Sequence, residues 1–203
     1  MNTDQSLERR EFFKKIGFTL AATTLACNVA EMIHADEPTS KRVLVAYASR
    51  AGSTAEVAEA IGQVLRGKGL AVEVLPAGKV TDVSAYRAAI VGSAVRMGKW
   101  LPEGSKLVDR NRAELAAMPT GFFTVCLTMQ KDTPENRRVV EGYMQPILQK
   151  IHPSSVGLFG GKMDYSSLGF VDRFIVSKMK KVPEGDYRDW RTIRAWAGGF
   201  GMS

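Results

Sequence analysis

Short apolar runs alternate along this chain with longer stretches in which apolar residues recur every three or four positions. The first run is Val43-Leu44-Val45-Ala46-Tyr47, and further runs occupy 71–75, 88–91, 122–127 and 156–159. A strand with one wet face would alternate apolar and polar residues; these do not, so both faces are expected to be covered. Between the first two runs, Val57, Ala58, Ile61, Val64 and Leu65 share one helical face, Gly67 and Gly69 close the helix, and Ser53-Thr54-Ala55-Glu56 has the spacing of a capping box at its start. A short helical piece near 83–86 and a helix over 106–118 follow. Thr133 and Pro134 then suit the N-cap and first position of a long helix, with Val139, Val140, Tyr143, Ile147, Leu148 and Ile151 inward and a kink at Pro146. The last helix is expected over 187–196. Strands separated by helices predict an α/β fold with a parallel sheet covered on both faces. Such sheets bind ligands outside the carboxyl ends of their strands, which directs attention to the loops after strands one, three and four.

The first thirty-five residues break this pattern. Arg9, Arg10, Lys14 and Lys15 precede an apolar stretch over 16–30, and a polar stretch follows. That order is the order of an export signal, with cleavage expected after Ala35. Arg9-Arg10-Glu11-Phe12-Phe13-Lys14 resembles the twin-arginine signal, which implies export to the periplasm or a membrane-associated position; retention as an anchor is the alternative. Cys27 follows Leu25-Ala26, but Thr24 departs from a lipoprotein site. The domain is expected to occupy residues 36–203.

Composition narrows the chemistry. The 203 residues carry 28 Lys+Arg against 21 Asp+Glu, a formal charge of +7 that admits an acidic small molecule, an anionic membrane face or an acidic partner. Two histidines and two cysteines give a zinc site little to work with, so no metal is expected. Cys126 lies in an apolar strand and is expected to be inert core. Nucleic acid is not expected, because the basic residues lack interleaved aromatics.

The loop after strand one reads Ser49-Arg50-Ala51-Gly52-Ser53-Thr54 and enters a helix directly. Hydroxyls, a glycine and the free N–H groups of a helix start make a phosphate cradle; an ordinary capped turn is the competing reading. The Gly-x-Gly-x-x-Gly and Gly-Lys-Ser/Thr signatures of dinucleotide and nucleoside triphosphate sites are absent from it. The loop resembles that of the flavodoxin-like family, in which a Thr/Ser-x-Thr/Asp-Gly-x-Thr loop wraps the phosphate of FMN. Ser49, Gly52 and Thr54 match that form, and Ala51 replaces the usual hydroxyl or carboxylate. The resemblance implies a three-layer sandwich with a five-stranded parallel sheet of order 2-1-3-4-5, FMN as cofactor, and Ser49, Arg50, Ala51, Gly52, Ser53 and Thr54 as its phosphate loop.

It also implies that the loops after strands three and four border the flavin ring, with Ala94, Val95, Arg96, Met97, Gly98 and Trp100 from the first and Leu127, Thr128 and Met129 from the second. For Trp100, packing competes with stacking. Gly92 to Gly98, Met118-Pro119, Asp172-Arg173-Phe174 and Asp189-Trp190 resemble the menaquinone-dependent protoporphyrinogen IX dehydrogenase branch, whose chain is likewise expanded between strand five and the last helix. That implies an FMN-dependent oxidoreductase with a quinone partner and an acidic, porphyrinogen-like substrate. Members that act as low-potential carriers surround the ring with acids. Arg96, Lys99 and Lys131 here are basic, with Arg96 the expected catalytic residue, stabilising negative charge on the reduced flavin. Over 170–181, Val171, Phe174, Ile175 and Met179 fall on one helical face beside Lys178, Lys180 and Lys181, which suits a membrane surface or a porphyrinogen carboxylate; a core-packed helix is the plainer reading. An electron-transfer module docking on an acidic partner, and a flavin-free binding domain of the same fold, are the other functions open to the sequence.

Overall fold

The computed structural model describes residues 42–164, 166 and 183–201. The leader read in residues 1–35 and the basic stretch 170–181, with Asp172-Arg173-Phe174, lie outside the described residues. Five parallel strands form the main sheet: β1 (Arg42–Ala48), β2 (Ala71–Pro76), β3 (Ala88–Arg96), β5 (Thr120–Cys126) and β6 (Ser155–Gly160), in the order β2-β1-β3-β5-β6. The two-residue β4 (Lys99–Trp100) folds back antiparallel on the end of β3. With β4 left out of the count, this is the expected order 2-1-3-4-5.

In the central strands the apolar runs continue because consecutive residues serve two cores, whereas the edge strand β2 is half-exposed throughout and carries Glu73. Leu44, Ala46, Val91 and Phe122 pack on one side of the sheet; Val43, Val45, Ile90 and Phe123 pack on the other. Helices α1 (Ser53–Gly67) and α5 (Trp190–Gly199) cover the second side through Val57, Ile61, Leu65, Ile193 and Ala197. Helices α2 (Pro102–Arg110), α3 (Arg112–Ala117) and α4 (Pro134–Leu148) cover the first through Leu107, Leu115, Val140, Met144 and Ile147.

Several boundaries differ from expectation, each for a local reason. The helix expected over 106–118 is two helices, because Asn111 leaves helical geometry and turns its buried side-chain amide back to the Leu107 carbonyl at 3.0 Å. Residues 83–86 form a turn held by Tyr86 N–H to the Val83 carbonyl. On α4, Thr133 caps Asn136 N–H as expected, but Val139 is 44% exposed, and Met144 takes the inward position. Pro146 falls in the last turn of α4, which continues to Leu148. Helix α5 starts three residues later than expected because Asp189 caps it, accepting from Arg191 and Thr192 N–H.

A second antiparallel pair, β7 (Lys162–Met163) with β8 (Gly185–Asp186), closes the base of the expansion between β6 and α5. The returning chain crosses β6 closely. A Cβ on Gly160 would lie 2.0 Å from the Tyr187 carbonyl, so only glycine fits there, and Tyr187 N–H bonds the Gly161 carbonyl at 3.0 Å.

Candidate functional site

The carboxyl ends of β1, β3 and β5 bring together three loops from distant parts of the sequence. After β1 the chain turns at Gly52, whose φ of +86° places it in the left-handed region, and α1 begins at Ser53. Ser49 Oγ accepts from Gly52 N–H at 3.1 Å and fixes the turn. A Cβ on Gly52 would meet nothing within 4 Å, so the space above the turn is open to a ligand. The capping box expected at Ser53 does not form. Gly52 is the N-cap, no side chain caps α1, and Ser53 Oγ instead accepts from Lys162 N–H at 3.2 Å. The leading N–H groups of α1 are thereby left for an anion. Thr54 is buried, while Arg50 and Ala51 are exposed on the turn, with Arg50 lying 3.8 Å from the Glu103 carboxylate.

The loop expected after β3 is a hairpin. β3 runs on through Ala94, Val95 and Arg96, and Met97-Gly98 make a two-residue turn, both at positive φ (52° and 72°), that sets Arg96 opposite Lys99. Two central residues at positive φ match the strand twist of a tight hairpin. Arg96 is half-buried, Lys99 is exposed, and Met97 at the tip is 84% exposed. Ser93, fully buried, receives Leu101 N–H at 2.9 Å and donates to the Ala94 carbonyl, which anchors the return.

Trp100 differs from the placement expected of a residue bordering the ring. It is 5% exposed, its indole N–H donates to Thr124 Oγ1 at 2.7 Å, and it meets the Phe122 ring edge-on at 5.7 Å. A ring so enclosed supports the hairpin from beneath and has no free face for stacking. After β5, Leu127, Thr128 and Met129 lie in a short 3₁₀ turn (Leu127–Gln130); Met129 points into the core, and Leu127 and Thr128 are half-exposed. Lys131 follows it, exposed. Cys126 is 8% exposed, and burial pushes its thiol pKa up.

Sequence reasoning missed the wall beside the cradle. Arg188, its side chain 4% exposed, makes two hydrogen bonds to Asp186 (2.7 and 2.6 Å), one to Glu56 of α1 (2.8 Å), and stacks on the Trp190 ring at 4.5 Å. Its guanidinium holds the Asp186 carboxyl below the usual carboxylate range. The available signal was the arrangement Asp186-x-Arg188-x-Trp190, but the partner on α1 is 132 positions away.

This geometry meets a family model described as the flavodoxin domain over residues 44–189. The chain belongs to the flavodoxin-domain family. FMN is accordingly the cofactor, and the residues of the turn after β1 fit its phosphate: an open left-handed turn, Ser49, Ser53 and Thr54, unclaimed N–H groups, and no acid between Ser49 and Ala55. Flavin redox chemistry is the chemistry that FMN supplies. Among curated proteins, the flavodoxin domain is similar to a protoporphyrinogen IX dehydrogenase [quinone] of Leishmania major, 30% identical over 125 residues that cover 57% of this chain and 54% of that protein. The chain thus spans about half of that relative. A protein of the same description from Escherichia coli strain K12 is 22% identical over 169 residues, covering 77% of this chain and 92% of its own. Among solved structures, a short-chain flavodoxin associated with a PDU bacterial microcompartment superposes with a TM-score of 0.52 at 14% identity, covering 79% of this chain and 96% of that one. That likeness concerns the fold.

Proposed function

We propose that this flavodoxin domain is an FMN-dependent, quinone-linked oxidoreductase whose electron donor is an acidic, porphyrinogen-like molecule. The observation that carries the reading is the cationic hairpin: Arg96 and Lys99 face each other across a two-residue turn at the carboxyl edge of the sheet, with Lys131 on the neighbouring loop. Cations there favour an anionic reduced ring and so raise its potential. The similarity along 92% of the Escherichia coli quinone enzyme supports the same reading.

FMN, when bound, supplies a two-electron couple between donor and quinone. Ser49, Ser53 and Thr54 with the start of α1 would hold its phosphate end. The β3–β4 hairpin and the 3₁₀ turn after β5 would border the ring end, and Trp100 with Ser93 keeps the hairpin fixed. Arg96 and Lys99 stabilise negative charge that develops on the ring side, and they attract a substrate that carries carboxylates. Each quinone reduced takes up two electrons and two protons from the donor.

Export by the twin-arginine route, with residues 1–35 as the signal, and contact with a membrane surface through 170–181 complete the proposal. Among the described residues, no helix is long and apolar enough to cross a membrane. The test is turnover: purified full-length protein loaded with FMN is expected to oxidise protoporphyrinogen only when a naphthoquinone is present. Reduction of a partner protein without porphyrinogen oxidation would instead identify an electron-transfer module. A fully reduced couple as low as that of a carrier flavodoxin would refute the role given to the cations.

A further inference from the structure

The cradle has a wall that its own loop does not provide. β7 begins one residue beyond Gly161, and Lys162 presents its backbone N–H to Ser53 Oγ, 109 positions earlier. β8 pairs with β7 so that Asp186 stands opposite Lys162. Two residues on, Arg188 grips both Asp186 and Glu56 of α1. The β7–β8 ribbon is therefore tied to α1 twice, once at Ser53 through backbone and once at Glu56 through a buried guanidinium.

These tethers fix where Lys162 begins, and its four-carbon stem gives the ammonium reach from there. Its side chain is 43% exposed, and Nζ lies 3.4 Å from Asp164 Oδ2, a loose pairing. Asp164 is held first by another partner. Ser166 donates to Asp164 Oδ1 from its hydroxyl at 2.6 Å and its N–H at 3.0 Å, and these bonds lower the Asp164 pKa more than Lys162 does. The loop itself offers one cation, Arg50, which lies toward Glu103. Arg188 engages Asp186 and Glu56 directly, and Lys162 adds a weaker electrostatic pull on Asp186 across the ribbon.

We infer that Lys162 is a ligand of the FMN phosphate, delivered to the cradle by the β7–β8 ribbon and compensating for the contact that Ala51 does not make. The inference rests on the FMN assignment. It makes Lys162 a residue that distinguishes FMN from riboflavin, which carries the same ring without the phosphate.

The test uses full-length protein stripped of flavin and titrated with FMN and with riboflavin, binding being read by quenching of flavin fluorescence. Lys162→Met keeps the backbone N–H to Ser53 and alters a half-exposed side chain. It is expected to raise the Kd for FMN about tenfold, as for loss of one charge-assisted hydrogen bond, with the Kd for riboflavin changed less than twofold. Lys162→Arg is expected to restore FMN binding, and added salt to narrow the difference between wild type and Lys162→Met. An equal loss for both flavins would show that Lys162 acts through the fold, and no loss for either would place it away from the phosphate; each result overturns the inference. Wild-type protein that binds neither flavin would overturn the FMN assignment and the inference together.

Discussion

Whether Trp100 is a lid or a support is decided by replacing it with phenylalanine. In Trp100→Phe the indole N–H that Thr124 Oγ1 accepts is lost, and Thr124, itself fully buried, keeps a hydroxyl with one partner fewer. Removing one such bond costs about 1 kcal/mol. The smaller ring leaves part of the space over Phe122 unfilled, which adds about 1 kcal/mol. A total near 2 kcal/mol corresponds to a fall in Tm of roughly 4–8 °C for a domain of this size. Urea unfolding followed by far-UV circular dichroism measures the loss, and flavin fluorescence measures the Kd for FMN, expected within about threefold of wild type. The double variant Trp100→Phe/Thr124→Val is expected to recover about 1 kcal/mol, because donor and acceptor then leave together. A tenfold loss of FMN affinity with unchanged unfolding would show that the indole touches the flavin and that the reasoning is mistaken.

Gly52→Ala forces a Cβ into left-handed geometry without a clash, so strain of about 1–2 kcal/mol is expected, read as a lower Tm together with weaker FMN binding. Arg188→Met removes a side chain that is 4% exposed, but its partners Asp186 and Glu56 are 39% and 59% exposed. Water recovers part of the loss, and urea midpoints should report about 1–2 kcal/mol instead of the cost of a fully buried pair. Because the folded Asp186 pKa is depressed, its contribution is complete above the unfolded carboxyl value near 4 and disappears as pH falls through the folded one. Wild type is therefore expected to lose stability below about pH 4 more steeply than Arg188→Met, and parallel profiles would contradict the pairing. In a Cys27→Ser background, Cys126 should react with a thiol reagent only as fast as the protein unfolds; rapid labelling in native buffer would show that burial does not protect it.

The strands were legible because their residues face two cores at once: no polar residue could stand in Val43–Ala46 or at Phe122 and Phe123 without losing burial on one side. The turn at Gly52 was legible because a glycine at a strand-to-helix junction supplies the left-handed backbone that a tight turn there requires. The partners of the loop hydroxyls were not legible. Ser53 has the spacing of a cap, yet a backbone N–H from β7 claims its oxygen, and that competitor is 109 positions away. Trp100 sits two residues beyond a tight turn, and whether its ring faces solvent or core depends on the register of Arg96 with Lys99, which only the pairing fixes.

The sequence alone therefore determined what periodicity and local stereochemistry control: the alternation of strands and helices, the parallel sheet, and the anion-ready turn after β1. Tertiary structure decided what depends on meetings between distant segments, namely the hairpin that turns Trp100 inward, the ribbon that brings Lys162 to the cradle, and the clamp of Arg188 on Glu56. A helical period of 3.6 residues or a short apolar run is written in neighbouring positions, whereas a hydrogen bond across the sheet's edge depends on distances that no single segment contains.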